Sequence, residues 1–83
     1  MADSKLTVYT TRFCGSCFSV KRWLKDWGVA YDEVDISDDP TSQSFVRQAA
    51  HGYLSVPTLR FPDGRILVEP SHDALRRALS LEK

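Results

Sequence analysis

The two cysteines of the chain, Cys14 and Cys17, are separated by two small residues, and this pair constrains the fold more than any other feature. A short run of β-prone side chains, residues 6–9, precedes the pair. Apolar side chains at helical spacing follow it, and they are Val20, Trp23, Leu24 and Trp27. The pair therefore lies at the junction between a strand and the following helix, a position that is typical of redox thiols in a βαβ unit.

Length and charge limit the function classes. A chain of 83 residues is too short to divide its apolar side chains between two cores, so we expect one domain over residues 1–83. It carries 11 Lys and Arg against 11 Asp and Glu, which gives no excess charge to attract nucleic acid or a membrane surface. The N-terminal segment lacks the pattern of a secretion signal. We therefore expect a cytoplasmic monomer without nucleic-acid or membrane partners.

A second strand and a second helix are predicted after the first helix. Residues 30–36 alternate apolar with acidic side chains, which predicts a strand, and the connecting helix makes that strand parallel to the first. Asp39 is predicted to be the N-cap of a second helix. Pro40 would take its first position, where proline is tolerated, and Gly52 is predicted to end it.

A hairpin and a third helix complete the predicted order. Residues 58–61 and 66–68 flank a turn in which Gly64 can adopt a positive φ. Capping residues at 70–73 then introduce a short amphipathic helix that continues to Leu79. The sequence therefore predicts an α/β sandwich of order βαβαββα, with a four-stranded mixed sheet and three helices that cover both of its faces.

The position of the two thiols predicts their chemistry. Cys14 lies beside the free amides and positive dipole of a helix start, and Arg12 adds positive potential, so we expect a lowered pKa and a reactive thiolate. Cys17 lies about one turn deeper on the same side of the helix. This arrangement favours thiol–disulfide exchange, in which Cys14 captures a substrate and Cys17 resolves the mixed disulfide.

Two other interpretations of the cysteines are less favoured. A disulfide across two residues closes too small a loop to stabilise a fold, and a structural disulfide seldom persists in the cytosol. Zinc needs four ligands, and the further candidates, His51 and His72, lack a compact ligand spacing. We therefore expect no metal, and we assign the two histidines to capping and surface roles at the end of the second helix and the start of the third.

A second signal precedes the third strand. The bond between Val56 and Pro57 can adopt the cis form, and a proline there has no amide to compete for the active-site sulfur. On its own, Pro57 is better explained as an ordinary proline at a strand start.

Together, the segment Cys14-Gly15-Ser16-Cys17, the segment Ser55-Val56-Pro57 and the βαβαββα order resemble the glutaredoxins of the thioredoxin fold. Within that family the chain looks most like the mycoredoxin and glutaredoxin-like proteins of bacteria. The resemblance implies a thiol–disulfide oxidoreductase for redox homeostasis, with Cys14 as nucleophile, Cys17 as resolving thiol and Pro57 as the cis-proline. It implies further substrate-binding roles, and the residues expected to fill them are Arg12, Phe13, Val56, Pro57, Ser71 and His72.

The resemblance also implies the partners. Substrates would be disulfide-containing or S-thiolated proteins. The co-substrate would be a low-molecular-weight thiol, recycled by its own reductase or by thioredoxin reductase, with no tightly bound cofactor. The family's usual Lys before the nucleophile is replaced by Thr11, and its Gly-Gly-Asp segment by residues 67–71. Glutathione, mycothiol and another bacterial thiol therefore remain open.

Three alternatives to this function remain. An iron–sulfur carrier would use Cys14 and a thiol cofactor in a dimer, which Gly15 permits. An NrdH-type electron donor to ribonucleotide reductase and a non-catalytic binding module are the others. Among the remaining aromatics, Trp23 and Trp27 are expected in the core, and Phe18 is expected to be exposed beside the thiols as a docking point.

Overall fold

The computed structural model describes residues 6–79. The elements follow in the order β1 (Leu6–Thr10), α1 (Gly15–Asp26), β2 (Tyr31–Asp35), α2 (Pro40–Ala49), β3 (Thr58–Arg60), β4 (Ile66–Val68) and α3 (His72–Ala78). The predicted βαβαββα order is confirmed. None of these three helices has the length and apolarity that crossing a lipid bilayer requires.

The four strands form one mixed sheet in the order β2-β1-β3-β4. Strands β1 and β2 are parallel, with Val8 opposite Glu33, and β3 runs antiparallel to both β1 and β4. The parallel pair and the hairpin are thus confirmed. Because β1 and β2 are parallel, their carboxyl ends lie at the same edge of the sheet, and the loop that carries Cys14 begins there.

Two apolar clusters lie on opposite faces of the sheet. Helices α1 and α3 cover the larger one, whose buried members are Leu6, Val8, Val20, Leu24, Leu59, Phe61 and Leu75. Helix α2 covers the smaller one, whose buried members are Tyr9, Ile36 and Val46. The alternation of side chains along β1 explains the division, since Val8 and Tyr9 point to opposite faces. The expected coverage of both faces is confirmed.

The second helix begins as predicted. Asp39 is its N-cap: one carboxylate oxygen accepts from the Ser42 backbone N–H over 3.4 Å, and the other accepts from the Ser42 hydroxyl over 2.8 Å. Pro40 occupies the first helical position, where its missing N–H costs no hydrogen bond.

The prediction that Trp27 lies in the core is wrong. Trp27 is 44% exposed and is not a core residue, because α1 ends at Asp26 and the Trp27 ring lies against Trp23 with 5.4 Å between centroids. Trp23 itself packs on the larger core as expected. His51 is exposed, as its predicted surface role requires, but it lies beyond α2, which ends at Ala49, and its φ of 58° belongs to the turn that follows.

Candidate active site

Cys14 is the N-cap residue of α1. Its backbone is extended, and its Sγ accepts a hydrogen bond from the Cys17 backbone N–H over 3.1 Å. Its carbonyl oxygen accepts from the Phe18 N–H, so the helix winds directly onto this residue. A cysteine side chain here takes the place of the usual Ser or Asp cap, which puts sulfur at the positive end of the helix.

The two cysteines form a disulfide, with 5.2 Å between their Cα atoms. Their exposure differs. Cys17 is only 1% exposed and lies on the inner side of α1 with Val20 and Leu24, whereas Cys14 is partly exposed. A second molecule that carries a disulfide would therefore meet the Cys14 sulfur first.

The loop before β3 faces the Cys14 sulfur. The Val56–Pro57 peptide bond is cis, as predicted, and the Val56 carbonyl oxygen lies 3.9 Å from Cys14 Sγ. Two hydrogen bonds hold the loop. The Thr58 hydroxyl donates to the Ser55 carbonyl over 2.8 Å, and the Glu69 N–H donates to the Pro57 carbonyl over 2.8 Å. The structure thus brings together three sequence-predicted residues, Cys14, Val56 and Pro57.

Arg12 lies in the same loop as Cys14, but its guanidinium is paired with carboxylates. It contacts Asp38, and its Nε lies 3.9 Å from Asp35. The Arg12 backbone N–H also donates to the Ser37 hydroxyl over 3.3 Å. Hydrogen bonds from Ser37 to Asp35 are the main cause that lowers the pKa of that carboxyl, and the charge of Arg12 adds to it. Part of the positive potential expected from Arg12 is therefore neutralised. Phe13, next in the loop, is 96% exposed.

Ser71 and His72 lie at the start of α3. The Ser71 hydroxyl caps the helix by accepting from the Ala74 N–H over 3.0 Å. The His72 Nε2 is 3.2 Å from the Ser19 hydroxyl, and its ring centroid is 5.8 Å from that of Trp23. His72 therefore joins α3 to α1 two residues beyond Cys17. Ser19 is 53 residues away from His72 in the sequence, so no local signal predicts this contact.

A polar network at the end of β1 was not predicted either. The buried Thr10 hydroxyl donates to Glu33 over 2.9 Å, and the Lys21 ammonium donates to the same carboxylate oxygen over 2.9 Å. The hydrogen bond from Lys21 is the main cause that lowers the pKa of Glu33. These two hydrogen bonds connect β1, β2 and α1 near the point where the cysteine loop begins.

Among residues 6–79, His, Cys, Asp and Glu side chains form no group of three or more that could hold a metal ion. The groups around Cys14 favour thiol chemistry. The Cys14 sulfur caps α1, the Cys17 side chain is buried, and the Val56 carbonyl lies opposite the Cys14 sulfur.

The chain matches the family model described as Glutaredoxin over residues 6–67. A Mycobacterium tuberculosis protein that carries the glutaredoxin name is 40% identical over 79 residues, which cover 95% of this chain and 94% of that protein. Mycoredoxin 1 of Corynebacterium glutamicum is 33% identical over 67 residues, covering 81% of this chain and 82% of that protein. A glutaredoxin-like protein NrdH of Lactococcus lactis is 32% identical over 59 residues, covering 70% and 78%.

Solved structures agree with the fold. The crystal structure of a thioredoxin-like protein, 32% identical, superimposes with a TM-score of 0.75 and covers 88% of this chain and 97% of that one. The glutaredoxin of Archaeoglobus fulgidus is 18% identical and superimposes with a TM-score of 0.77, covering 92% of this chain and 86% of that one.

Proposed function

This chain belongs to the glutaredoxin family, a family of thiol–disulfide oxidoreductases, and we propose that it reduces protein disulfides and S-thiolated proteins with a small thiol as co-substrate. The observation that carries the proposal is the position of Cys14 Sγ, which caps α1 and accepts from the Cys17 N–H over 3.1 Å. After reduction, the same amide faces a Cys14 thiolate, and a hydrogen bond to sulfur favours the charged form.

The first step of the proposed reaction takes place at Cys14. Its thiolate attacks one sulfur of the substrate disulfide, the substrate S–S bond breaks, and the departing sulfur leaves as a thiolate that takes up a proton from water. Cys14 is now in a mixed disulfide with the substrate. The partial exposure of Cys14, against the burial of Cys17, supports this choice of nucleophile.

The mixed disulfide is then resolved by one of two routes. In the dithiol route, the Cys17 thiolate attacks the Cys14 sulfur, which expels the substrate thiol and forms the Cys14–Cys17 disulfide that the structure contains. Two molecules of the small thiol then reduce this disulfide and leave as their own disulfide. In the monothiol route, the thiolate of a small thiol attacks the substrate-derived sulfur of the mixed disulfide, forms a new disulfide with it and releases Cys14 as a thiolate. Cys17 takes no part in this route.

Binding of the substrate would use the backbone of Val56. Its carbonyl lies 3.9 Å from Cys14 Sγ, and a peptide-like group that bears the reacting sulfur can pair with an exposed backbone segment as an added strand does. Pro57 contributes no N–H that could compete for the thiolate. We assign supporting contacts with the small thiol to Arg12 and Phe13, which precede Cys14 in its loop, and to Ser71 and His72 at the start of α3, where His72 lies 3.2 Å from Ser19.

One experiment tests the proposal and identifies the reducing pathway. The oxidised protein is mixed separately with glutathione, mycothiol, bacillithiol and a thioredoxin reductase with NADPH, and free protein thiols are counted over time. We expect at least one of these reductants to restore both thiols and to support turnover of an S-thiolated model protein. Restored thiols without any turnover of disulfide substrates would contradict the proposed function.

A further inference from the structure

A groove of about 500 Å³ lies between α1 and the edge strand β2. Its lining residues are Phe18, Lys21, Arg22, Lys25, Asp26, Tyr31 and Glu33. On α1, the residues at 18, 21 or 22, and 25 share one face, since they are three to four positions apart. The groove therefore runs along the helix, away from the cysteine loop and toward the start of β2.

The charges of the groove are unevenly balanced. Lys21 pairs with Glu33 over 2.9 Å, and Arg22 pairs with Asp26 over 3.6 Å. Lys25 has no such partner: within residues 6–79 it is the one Lys or Arg side chain without an ion pair, hydrogen bond or aromatic contact. The groove therefore presents one uncompensated positive charge at its far end.

The end of the groove nearest the thiols is apolar. Phe18 follows Cys17 directly and is 65% exposed, as predicted. Exposure of a large aromatic ring next to a reactive sulfur favours an apolar side chain on whatever docks there. Going along the groove, a ligand would thus meet an aromatic contact first and a cation afterwards.

The distance between Cys14 and Lys25 determines how far apart the reacting cysteine and the acidic residue of a ligand must be. Lys25 is eleven positions beyond Cys14, which is roughly 16 Å along a helix at about 1.5 Å per residue. An extended chain covers that distance with about five residues at ~3.3 Å each. The groove also lies on the β2 side of β1, whereas Val56 precedes β3 on the other side of β1. The groove therefore offers a contact surface on one side of Cys14, and Val56 offers another on the opposite side.

We propose that this groove binds the extended segment next to the reacting cysteine of a protein substrate, and that the segment carries Asp or Glu about five residues from that cysteine. An acidic segment is the occupant because it supplies the missing partner of Lys25. This inference rests on the proposed function, since it concerns the substrate from which Cys14 would remove the disulfide. It narrows the substrate class to proteins with an acidic residue at that distance.

The test uses pre-reduced protein and two synthetic peptides that differ at one position, Asp or Lys, five residues from a single cysteine. Each cysteine is in a mixed disulfide with nitrothiobenzoate. When the Cys14 thiolate attacks the peptide sulfur, the S–S bond breaks and nitrothiobenzoate leaves as a coloured thiolate, so its absorbance gives the rate. The mixed disulfide of nitrothiobenzoate with mercaptoethanol, which has no peptide segment, is the third substrate.

The variant is Lys25→Glu, and the matched control is Arg47→Glu, an equal charge change at an exposed position of α2 on the opposite face. We expect Lys25→Glu to slow the reaction of the Asp peptide by about three- to tenfold and to accelerate that of the Lys peptide, because the reversal converts the attraction of a surface charge pair into repulsion. High salt should reduce the difference. The Arg47→Glu variant should keep the wild-type preference for the Asp peptide, and the mercaptoethanol substrate, which does not reach the groove, should respond alike to both variants.

Three results would overturn the inference. The wild-type protein could reduce both peptides at the same rate, Lys25→Glu could slow both peptides equally, or Arg47→Glu could change the selectivity as much as Lys25→Glu does. Failure of the wild-type protein to reduce even the mercaptoethanol substrate would overturn the proposed function as well. Normal reduction of that substrate without selectivity between the peptides would overturn the groove alone.

Discussion

The backbone N–H of Cys17 donates a hydrogen bond to Sγ of Cys14 over 3.1 Å, so Cys17 contacts the proposed nucleophile through its backbone as well as through the disulfide. The bond exists because Cys14 occupies the N-cap of α1, where the amides of the first turn have no partner within the helix. Substitution of the Cys17 side chain leaves this amide in place.

The first prediction concerns the pKa of Cys14 in the reduced protein. We expect it to lie below the ~8.5 of a free thiol, because the helix start and the Cys17 amide favour the thiolate. Ultraviolet absorbance of the thiolate, followed against pH on the Cys17→Ser variant, measures it. The Cys14→Ser variant is the control, and its buried Cys17 should titrate at higher pH. A Cys14 value at or above that of a free thiol would rule out activation by the helix start.

The second prediction concerns the acidic partners of Arg12. Asp38→Asn removes one of the two carboxylates beside the guanidinium, so Arg12 should contribute more positive potential to the cysteine loop. We expect the rate with oxidised glutathione, an anionic disulfide, to rise by about two- to fivefold at low salt and to return toward the wild-type rate at high salt. Stopped-flow measurement of the Trp fluorescence change gives the rate.

The control for this change is Asp63→Asn, which removes an equal charge from the Arg65 pair in the turn between β3 and β4. An equal rise in both variants would mean that net charge, and not Arg12, is responsible. No rise in Asp38→Asn would show that Arg12 does not act on the anionic substrate.

The third prediction concerns the pH dependence of stability through Glu33. Its pKa is lowered in the folded protein, mainly by the Lys21 hydrogen bond, so ionised Glu33 stabilises the fold above its ordinary pKa. This stabilisation is lost as the pH falls through the folded value. Because the Glu33 side chain is 40% exposed, solvent screening keeps the effect small, and we expect Glu33→Gln to lower the free energy of unfolding at neutral pH by less than about 1 kcal/mol.

Denaturant unfolding at neutral pH and below about pH 4 checks this prediction, since the difference between variant and wild type should shrink once Glu33 is protonated. Glu69→Gln is the matched control, because the Glu69 side chain forms no ion pair or hydrogen bond with any residue in 6–79. If Glu33→Gln lowers the free energy of unfolding by the same amount at low pH as at neutral pH, packing of the side chain and not its charge accounts for the change.

The elements of the fold were predictable from local signals. Asp39 marks a helix start because its carboxylate can cap the first turn, and Pro40 because its ring suits the first helical position. Gly64, with a φ of 98°, marks the turn between β3 and β4. The strand and helix patterns on either side of Cys14 also predicted that it lies at the start of a helix, and the structure places it at the N-cap of α1.

Contacts between distant segments were not predictable in the same way. Arg12 contacts Asp38, which is 26 positions away, and Thr10 contacts Glu33, which is 23 positions away. Both contacts depend on the pairing of β1 with β2, which local sequence does not specify. Trp27 was misassigned because a helical period continued past Asp26 would place it on the core, whereas the helix ends before it. Periodicity indicates which face of a helix is apolar but does not say at which residue that helix ends.

The most direct test of the account compares Cys14→Ser with Cys17→Ser in the release of a small thiol from an S-thiolated model protein, with both variants shown to be folded by circular dichroism. We predict that Cys14→Ser abolishes the release, whereas Cys17→Ser still forms the mixed disulfide and retains activity, since external thiol can resolve it. Activity that survives in Cys14→Ser but is lost in Cys17→Ser would contradict the assignment of Cys14 as the nucleophile.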